Sequence, residues 1–378
     1  MAETVLISAD SHVVEPADVW TRHIGAKWRD KAPVTTVDAE GTVHWTVDSG
    51  IPVGSVGAPS QAGLRFEDPS KVTFEGKWED VRPGCADPAP RLADMALDGV
   101  AGEVVYPTVA SRLYTVIGGE LLSACLRAMN DWMAEFVEGR GEIFRGVAML
   151  NTDDPADAAG EIARIAGLGL GAAMIPTDPG EGRSYDQPGY DLLWAAAEAH
   201  GVPLSFHVAS PRMGPGHVAV FATDGTGAGA AAYRATQAFW MQRSLACMIF
   251  SGVFERFPGL RVAIVEHELS WLPHLLVSMD RTYTEYSQTA PYRFAEGRLP
   301  SDFFRDRIYT TFQEDKLGVE TLPAMIGDET IMWGSDYPHA ESTWPNSRRF
   351  LDDILGGKEA GFQDKLTRGN VARLYGFA

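Results

Sequence analysis

The chain has 378 residues, 45% of them hydrophobic, enough to bury a large core and to fit one α/β barrel with insertions as readily as two domains. Its formal net charge of −19 is spread along the sequence, and no Lys/Arg cluster matches a phosphate backbone, so nucleic acid is not an expected partner. No apolar run reaches the roughly twenty residues that a bilayer span needs, and Met1-Ala2-Glu3 passes straight into a strand pattern, so no membrane association and a cytoplasmic location are expected.

In chain order, strand-like apolar runs are predicted at residues 5–13, 102–107, 144–150, 171–176, 203–208, 261–267, 307–312 and 331–338. Helical patterns occupy 91–98, 121–137, 154–167, 190–200, 233–256 and 270–286. Short strands rich in β-branched and aromatic residues, alternating with helices, suit a parallel sheet covered on both faces. Eight such strands predict a distorted (β/α)8 TIM barrel in one domain, residues 1–378, with function gathered at the carboxyl ends of the strands. The competing topology is an open doubly wound sheet, but no G-x-G-x-x-G follows the first strand. The glycine-rich run from Gly225 to Gly229 follows no convincing strand and is read as a loop.

Two intervals break the alternation. Residues 17–90, rich in Gly and Pro and carrying Trp20, Trp28, Trp45, Phe66 and Trp78, form a long insertion after strand one. Such an insertion sits either over the active-site mouth or on the surface as an oligomer contact. Residues 209–232, with His217, form the second, a loop expected near the substrate. The three cysteines, Cys85, Cys125 and Cys247, lack C-x-x-C spacing and are read as ordinary buried thiols.

Three of the strands end in metal-ligand residues. The first ends in Asp10-Ser11-His12, whose alternation places Asp10 and His12 on one side of an extended backbone. The fifth leads into His207 and the eighth into Asp336. A lone histidine after a strand is usually a satisfied core residue, but four N/O donors at equivalent strand ends suit one divalent ion of the zinc or manganese type. One such ion is therefore expected, zinc first and manganese second.

The sequence also resembles a family. Asp10-Ser11-His12-Val13-Val14-Glu15-Pro16, Arg91-Leu92-Ala93-Asp94-Met95 with Asp98-Gly99-Val100, and Phe257-Pro258-Gly259-Leu260 are its early motifs. Trp271-Leu272-Pro273, Gly334-Ser335-Asp336-Tyr337-Pro338-His339 and Asn370-Val371-Ala372-Arg373-Leu374-Tyr375-Gly376 complete them. Together they resemble the amidohydrolase-related proteins of the aminocarboxymuconate-semialdehyde decarboxylase type. The resemblance implies a TIM barrel with one divalent metal, performing non-oxidative decarboxylation or hydrolysis, in proteins that are often dimers or larger. It places the metal ligands on Asp10, His12, His207 and Asp336. Strand six departs from the pattern: alignment on Trp271-Leu272-Pro273 puts Glu266, rather than His267, at the catalytic histidine position. Adjacent strand residues face opposite sides, so both reach the pocket only if the strand has already broken.

The catalytic candidates are therefore Asp336, His267 and Glu266. The first reading is a decarboxylase of a small cyclic or aromatic carboxylic acid, in which Asp336 or His267 delivers a proton to the carbon that loses CO2. The alternatives are a hydrolase using metal-bound hydroxide, with Glu266 or His267 managing the oxyanion, and a catalytically silent metal-binding scaffold. Arg112, Arg183 and Arg243 are candidates to pair with a substrate carboxylate. Glu15 and Pro16 are read as fixing the loop after strand one, with an extra ligand as the lesser role for Glu15. His339 is read as contacting substrate or orienting Asp336. His200 is read as a helix cap, and His23, His44 and His274 receive no role.

Overall fold

The computed structural model describes residues 5–212 and 228–378. Eight parallel strands lie side by side in one sheet: β1 (Leu6–His12), β2 (Val100–Tyr106), β3 (Phe144–Met149), β4 (Ala172–Ile175), β5 (Leu204–His207), β6 (Val262–Val265), β7 (Ile308–Phe312) and β8 (Ile331–Trp333). The sheet nearly closes where the end of β8 meets β1. There the Asp336 N–H donates to the Asp10 carbonyl at 2.8 Å and the His12 N–H to the Tyr337 carbonyl at 2.5 Å. The expected (β/α)8 barrel is thus the observed one. Every residue of β1 is buried, as a strand packed on both faces requires.

Several helices carry local signals that explain their bounds. In the helix Pro88–Asp98, the Asp87 carboxylate accepts from the Ala89 N–H, Pro88 occupies the first turn and Gly99 ends it in the left-handed region, φ 73°. Asp154 caps Pro155–Gly167 in the same way through the Ala156 and Asp157 N–H groups. His200 is the last residue of Asp191–His200, ahead of Gly201 at φ 62°. The helix expected at 233–256 is instead three pieces, Ala228–Thr236, Ala238–Phe250 and Val253–Arg256, the last break falling at Gly252 with φ 75°. His217 and most of the expected 209–232 loop lie outside the described residues.

The insertion is more structured than its Gly and Pro content suggested. It holds a three-stranded antiparallel sheet, Val34–Val37, Val43–Val47 and Ile51–Gly54. In the middle strand Val43, Trp45 and Val47 are buried and alternate with His44 and Thr46, a short period-two signal lost among turn residues. Further along, the Ala62 N–H donates to the Pro338 carbonyl and the Ala340 N–H to the Ala58 carbonyl, so the insertion is stitched to the loop after β8. Among the described residues no helix is long and apolar enough to cross a membrane. Cys85 and Cys125 are buried, and Cys247 is half-buried.

Buried polar groups tie these pieces to the carboxyl ends of the strands. Arg91, fully buried, donates from Nε to Glu103 at 2.6 Å and from Nη1 to the His12 carbonyl at 2.7 Å. Asp94 accepts from the Tyr337 hydroxyl at 2.6 Å, and Asp98 accepts from the Ser347 N–H at 2.8 Å. Asn370 donates to the carbonyls of Asp328 and Ile331, both at 2.7 Å. Glu15 accepts from the N–H groups of Thr108, Val109 and Ala110 at 3.0, 2.9 and 2.9 Å, which spends its carboxylate on the loop after β2.

Two substitutions test this frame. A Cβ added at Gly334 would lie 2.5 Å from Asp10 Cβ and 3.1 Å from its backbone nitrogen. Gly334→Ala is expected to lose about 1–3 kcal/mol in urea unfolding, because the obstacle is another strand's backbone. Glu15→Gln is expected to lose about 1–3 kcal/mol by leaving backbone donors unsatisfied, while retention of a divalent ion persists. Loss of the ion with unchanged stability would instead make Glu15 a ligand.

Candidate metal centre

Side chains from four strand ends converge at the carboxyl mouth of the barrel. Asp10 and His12 come from β1, His207 from β5, Glu266 from the residue after β6, and Asp336 and His339 from the loop after β8. The expected strand 261–267 stops at Val265, and Glu266 takes a left-handed backbone, φ 59°. That break turns the Glu266 side chain inward. Glu268 and Asp336 share the conformation, φ 55° and 60°, and a non-glycine residue there costs on the order of 1–3 kcal/mol.

The ligand atoms of Asp10, His12, His207 and Glu266 all lie within 4.8 Å of one another, as do those of His12, Glu266, Asp336 and His339. His12 Nε2 is 3.0 Å from His207 Nε2, and each is 3.4 Å from Asp10 Oδ1. His12 Nε2 is 3.6 Å from Asp336 Oδ1, and His207 Nε2 is 3.5 Å from Glu266 Oε2. The ring of His339 stacks on His12 with centroids 3.9 Å apart, and its Nδ1 lies 2.7 Å from Asp336 Oδ1.

The tautomers follow from the partners. His12 Nδ1 faces the Pro107 carbonyl at 3.3 Å and His207 Nδ1 the Val208 carbonyl at 3.2 Å; a carbonyl only accepts, so each Nδ1 carries the proton. With both rings neutral the two Nε2 atoms, 3.0 Å apart, would present lone pairs to each other, a repulsion that a cation beside them removes. Asp10 Oδ1 and Asp336 Oδ2, both buried, accept no hydrogen bond. Buried polar atoms left in this state need a partner, and a divalent ion supplies one.

Burial lowers His207, but without an ion the neighbouring Asp10 and Glu266 outweigh it and raise the ring above the ordinary imidazole range. Burial would raise Asp10, but the imidazoles of His12 and His207 outweigh it and hold the carboxyl below its usual range. Burial, then the Asp336 charge, pushes Glu266 well above the usual carboxylate range, and burial with the Glu341 and Asp10 charges does the same to Asp336. Three carboxylates crowded into one dry space resist ionising together unless a cation joins them. Burial also drives His267 down to about 3, with the His207 charge adding to it.

A cavity of about 130 Å³ opens onto this centre, lined by Asp10, Glu266, Arg234, Gln237, Gln313 and Glu341 among others. A larger cleft of about 670 Å³ lies at the opposite end of the barrel, near Phe144 and Gly171. Two of its acidic groups are held by arginines, Asp131 by Arg164 at 2.5 Å and Glu135 by Arg22 at 3.0 Å, and no metal-ligand group of the described residues lies there.

Of the residues singled out from sequence, Asp10, His12, His207, Glu266, Asp336 and His339 come together. His267 is buried beside them with neither ring nitrogen hydrogen-bonded, and belongs to neither donor group. Arg183 pairs with Asp153 at 2.5 Å and Arg243 with Asp178 at 3.2 Å, so neither offers a free guanidinium. Sequence reasoning passed over Thr108, whose Oγ1 lies 3.1 Å from His12 Nδ1 and 3.2 Å from His339 Nε2. Its place just beyond β2 was the available signal. Arg234, Gln237, Gln313 and Glu341 were also missed, since their part in the cavity depends on how separate loops meet.

Comparisons with known proteins add to this geometry. Over 276 residues the chain is 28% identical to the gamma-resorcylate decarboxylase of Polaromonas sp. (strain JS666 / ATCC BAA-500), covering 69% of this chain and 80% of that protein. The amidohydrolase map2389c of Mycobacterium avium subsp. paratuberculosis K-10 has a similar structure, with a TM-score of 0.80 at 23% identity, covering 99% and 100% of the two chains. So does the dihydroxybenzoic acid decarboxylase of Polaromonas sp. JS666, solved with manganese and 2-nitroresorcinol, with a TM-score of 0.68 at 17% identity, covering 99% and 97%. The amidohydrolase family profile matches residues 17–377, nearly the whole length, and the chain belongs to the amidohydrolase family.

Proposed function

We propose that this protein is a divalent-metal-dependent, non-oxidative decarboxylase of a small aromatic carboxylic acid. The observation that carries the reading is the convergence of His12 Nε2, His207 Nε2 and Asp10 Oδ1 on one point, 3.0 to 3.4 Å from one another. The similarity to a gamma-resorcylate decarboxylase selects decarboxylation over hydrolysis. Asp10, His12, His207 and Asp336 would hold the ion, which when bound supplies Lewis-acid polarisation of the substrate's carboxylate and neighbouring hydroxyl oxygens. With carboxylates matching imidazoles in number, the donor set suits manganese at least as well as zinc, and a structural neighbour carries manganese. We therefore place manganese first.

The reaction replaces CO2 on a ring carbon by a proton. Glu266 lines the cavity beside Asp10, whereas His267 is set back from it, so the Glu266 carboxyl is the group placed to deliver that proton. As the proton reaches the ring carbon the C–C bond breaks, CO2 leaves, and Glu266 regains a proton from water. Asp336 Oδ2, free of hydrogen bonds, takes up and returns the proton of the neighbouring hydroxyl. His339 steadies Asp336 from the side, and Thr108 holds both His12 and His339 in place. The insertion is joined to the loop after β8 through Ala58 and Ala62.

Two measurements test the reading. The purified protein is expected to contain about one manganese or zinc per chain, sharply reduced in His207→Ala and Asp10→Asn. A wild type that takes up no metal on reconstitution sinks the site. CO2 release is then measured with 2,6-dihydroxybenzoate and other hydroxylated aromatic acids. Glu266→Gln is expected to keep its metal and lower kcat by about 10²–10⁴-fold. Undiminished turnover in that variant would remove Glu266 from the proton step, and hydrolysis of an amide or ester without CO2 release would overturn decarboxylation.

A further inference from the structure

Beneath the two imidazoles the barrel lumen holds a third ring. Tyr106, the last residue of β2, is fully buried, and in the strand register it stands directly beside His12. Parallel neighbours at one register point to the same face, so both side chains enter the lumen. The Tyr106 ring centroid lies 4.8 Å from that of His207 and 5.9 Å from that of His12, while the two imidazoles are 4.7 Å apart. Three rings at these separations are in mutual contact, so rotation of one presses on the others.

The far end of Tyr106 is anchored outside the site. Its hydroxyl lies 2.9 Å from Ser205 Oγ and 3.3 Å from the hydroxyl of Tyr375, in the helix Asn370–Tyr375. Ser205 precedes His207 by two residues on β5, the period that keeps both on the lumen face. Two strands separate β2 from β5 in the sheet, so no backbone ladder joins them. Tyr106 therefore spans the lumen between the strand beside His12 and the strand that carries His207. His207 has a weak hold of its own: its Nδ1 meets the carbonyl of the adjacent Val208 at 3.2 Å, longer than the usual separation of about 2.9–3.0 Å.

We propose that Tyr106 is a positioning residue, a strut that sets the angle and separation of His12 Nε2 and His207 Nε2 and so tightens the hold on the ion. The proposal rests on the metal reading of the site and stands whichever reaction the ion serves. The hydroxyl is spent on Ser205 and Tyr375, so what reaches the imidazoles is the ring. Donors held in place before the ion arrives lose less conformational freedom on binding it, and that is the term the strut improves. Through Tyr375 the last helix of the chain also bears on the site.

The test is binding of cobalt(II), a spectroscopic stand-in for manganese or zinc, followed by calorimetry and by the visible d–d absorption that reports ligand geometry. Tyr106→Phe keeps the ring and loses its anchor, and is expected to weaken binding by about tenfold; Tyr106→Leu removes the ring and should weaken it by about 10²-fold. Both should shift the cobalt band. Tyr114→Phe is the control for stability alone: its buried hydroxyl donates to the Leu150 and Met174 carbonyls at 3.0 and 3.1 Å, away from the imidazoles. That variant should lower the thermal midpoint of the metal-free protein at least as far as Tyr106→Phe while keeping wild-type affinity and spectrum. Should Tyr106→Leu fail to fold, Tyr106→Phe decides. Unchanged affinity and spectrum in the Tyr106 variants overturn the proposal, and so does a Tyr114→Phe protein that loses as much affinity as Tyr106→Phe. A wild type that takes up neither cobalt nor manganese brings down the metal reading itself, and the strut with it.

Discussion

The close approach of β8 to β1 is the constraint on which the rest of the architecture depends. It leaves no room for a side chain at Gly334, whose backbone lies against Asp10. Two backbone hydrogen bonds, from Asp336 to Asp10 and from His12 to Tyr337, close the seam. Buried serines reinforce it: the Ser335 N–H donates to Ser8 Oγ at 2.9 Å, and Ser8 Oγ donates to the Asp10 carbonyl at 2.7 Å. The residues forming this seam are the same ones that project Asp10, His12 and Asp336. Barrel closure and site assembly are therefore one event, and a fault in the seam displaces three donors together.

Around that seam the structure accepts local cost for placement. Glu266, Glu268 and Asp336 hold left-handed backbones that most residues avoid. Glu268 repays its share by accepting from the Gln313 and Glu314 N–H groups, which ties the end of β6 to the end of β7. Asp315 accepts from the Leu269 and Ser270 N–H groups and secures the turn that follows. These bonds over-determine the loop, so Glu266 stays turned toward His207 despite repulsion from Asp10 and Asp336. The crowding of carboxylates and the two Nε2 atoms 3.0 Å apart are two sides of one requirement, a cation at their centre.

The family motifs acquire physical roles in this light. Arg91 neutralises Glu103 inside the protein and holds the carbonyl of His12, so a residue 79 positions away in sequence fixes the backbone of a proposed ligand. Asp94 and Asp98 reach the loop after β8 through Tyr337 and Ser347. Asn370 binds the start of β8. The insertion then bears on that loop from outside, and its last strand covers the stem of Arg112. The loop after β8 is thus held by segments far apart in the chain.

Strand order, the alternation with helices and four of the converging donors were legible in the sequence, because buried parallel strands are short apolar runs and barrel donors follow them directly. Asp10 and His12 needed only the two-residue period of a strand. What escaped was whatever depends on where a strand stops or what a side chain meets. The end of β6 at Val265 rather than His267 is set by hydrogen bonds to residues 45 or more positions away, among them Glu266 N–H to Thr311 Oγ1, and no local pattern carries that information. The same holds for the arginines: Arg112, Arg183 and Arg243 are alike in sequence, and only packing gives Arg183 and Arg243 aspartate partners while Arg112 has none among the described residues. By itself the sequence determined the barrel and the chemical character of its donors, because periodicity and residue type are local properties. Tertiary structure alone decided which carboxylate faces the centre and which arginines find aspartate partners, because both depend on contacts between distant segments.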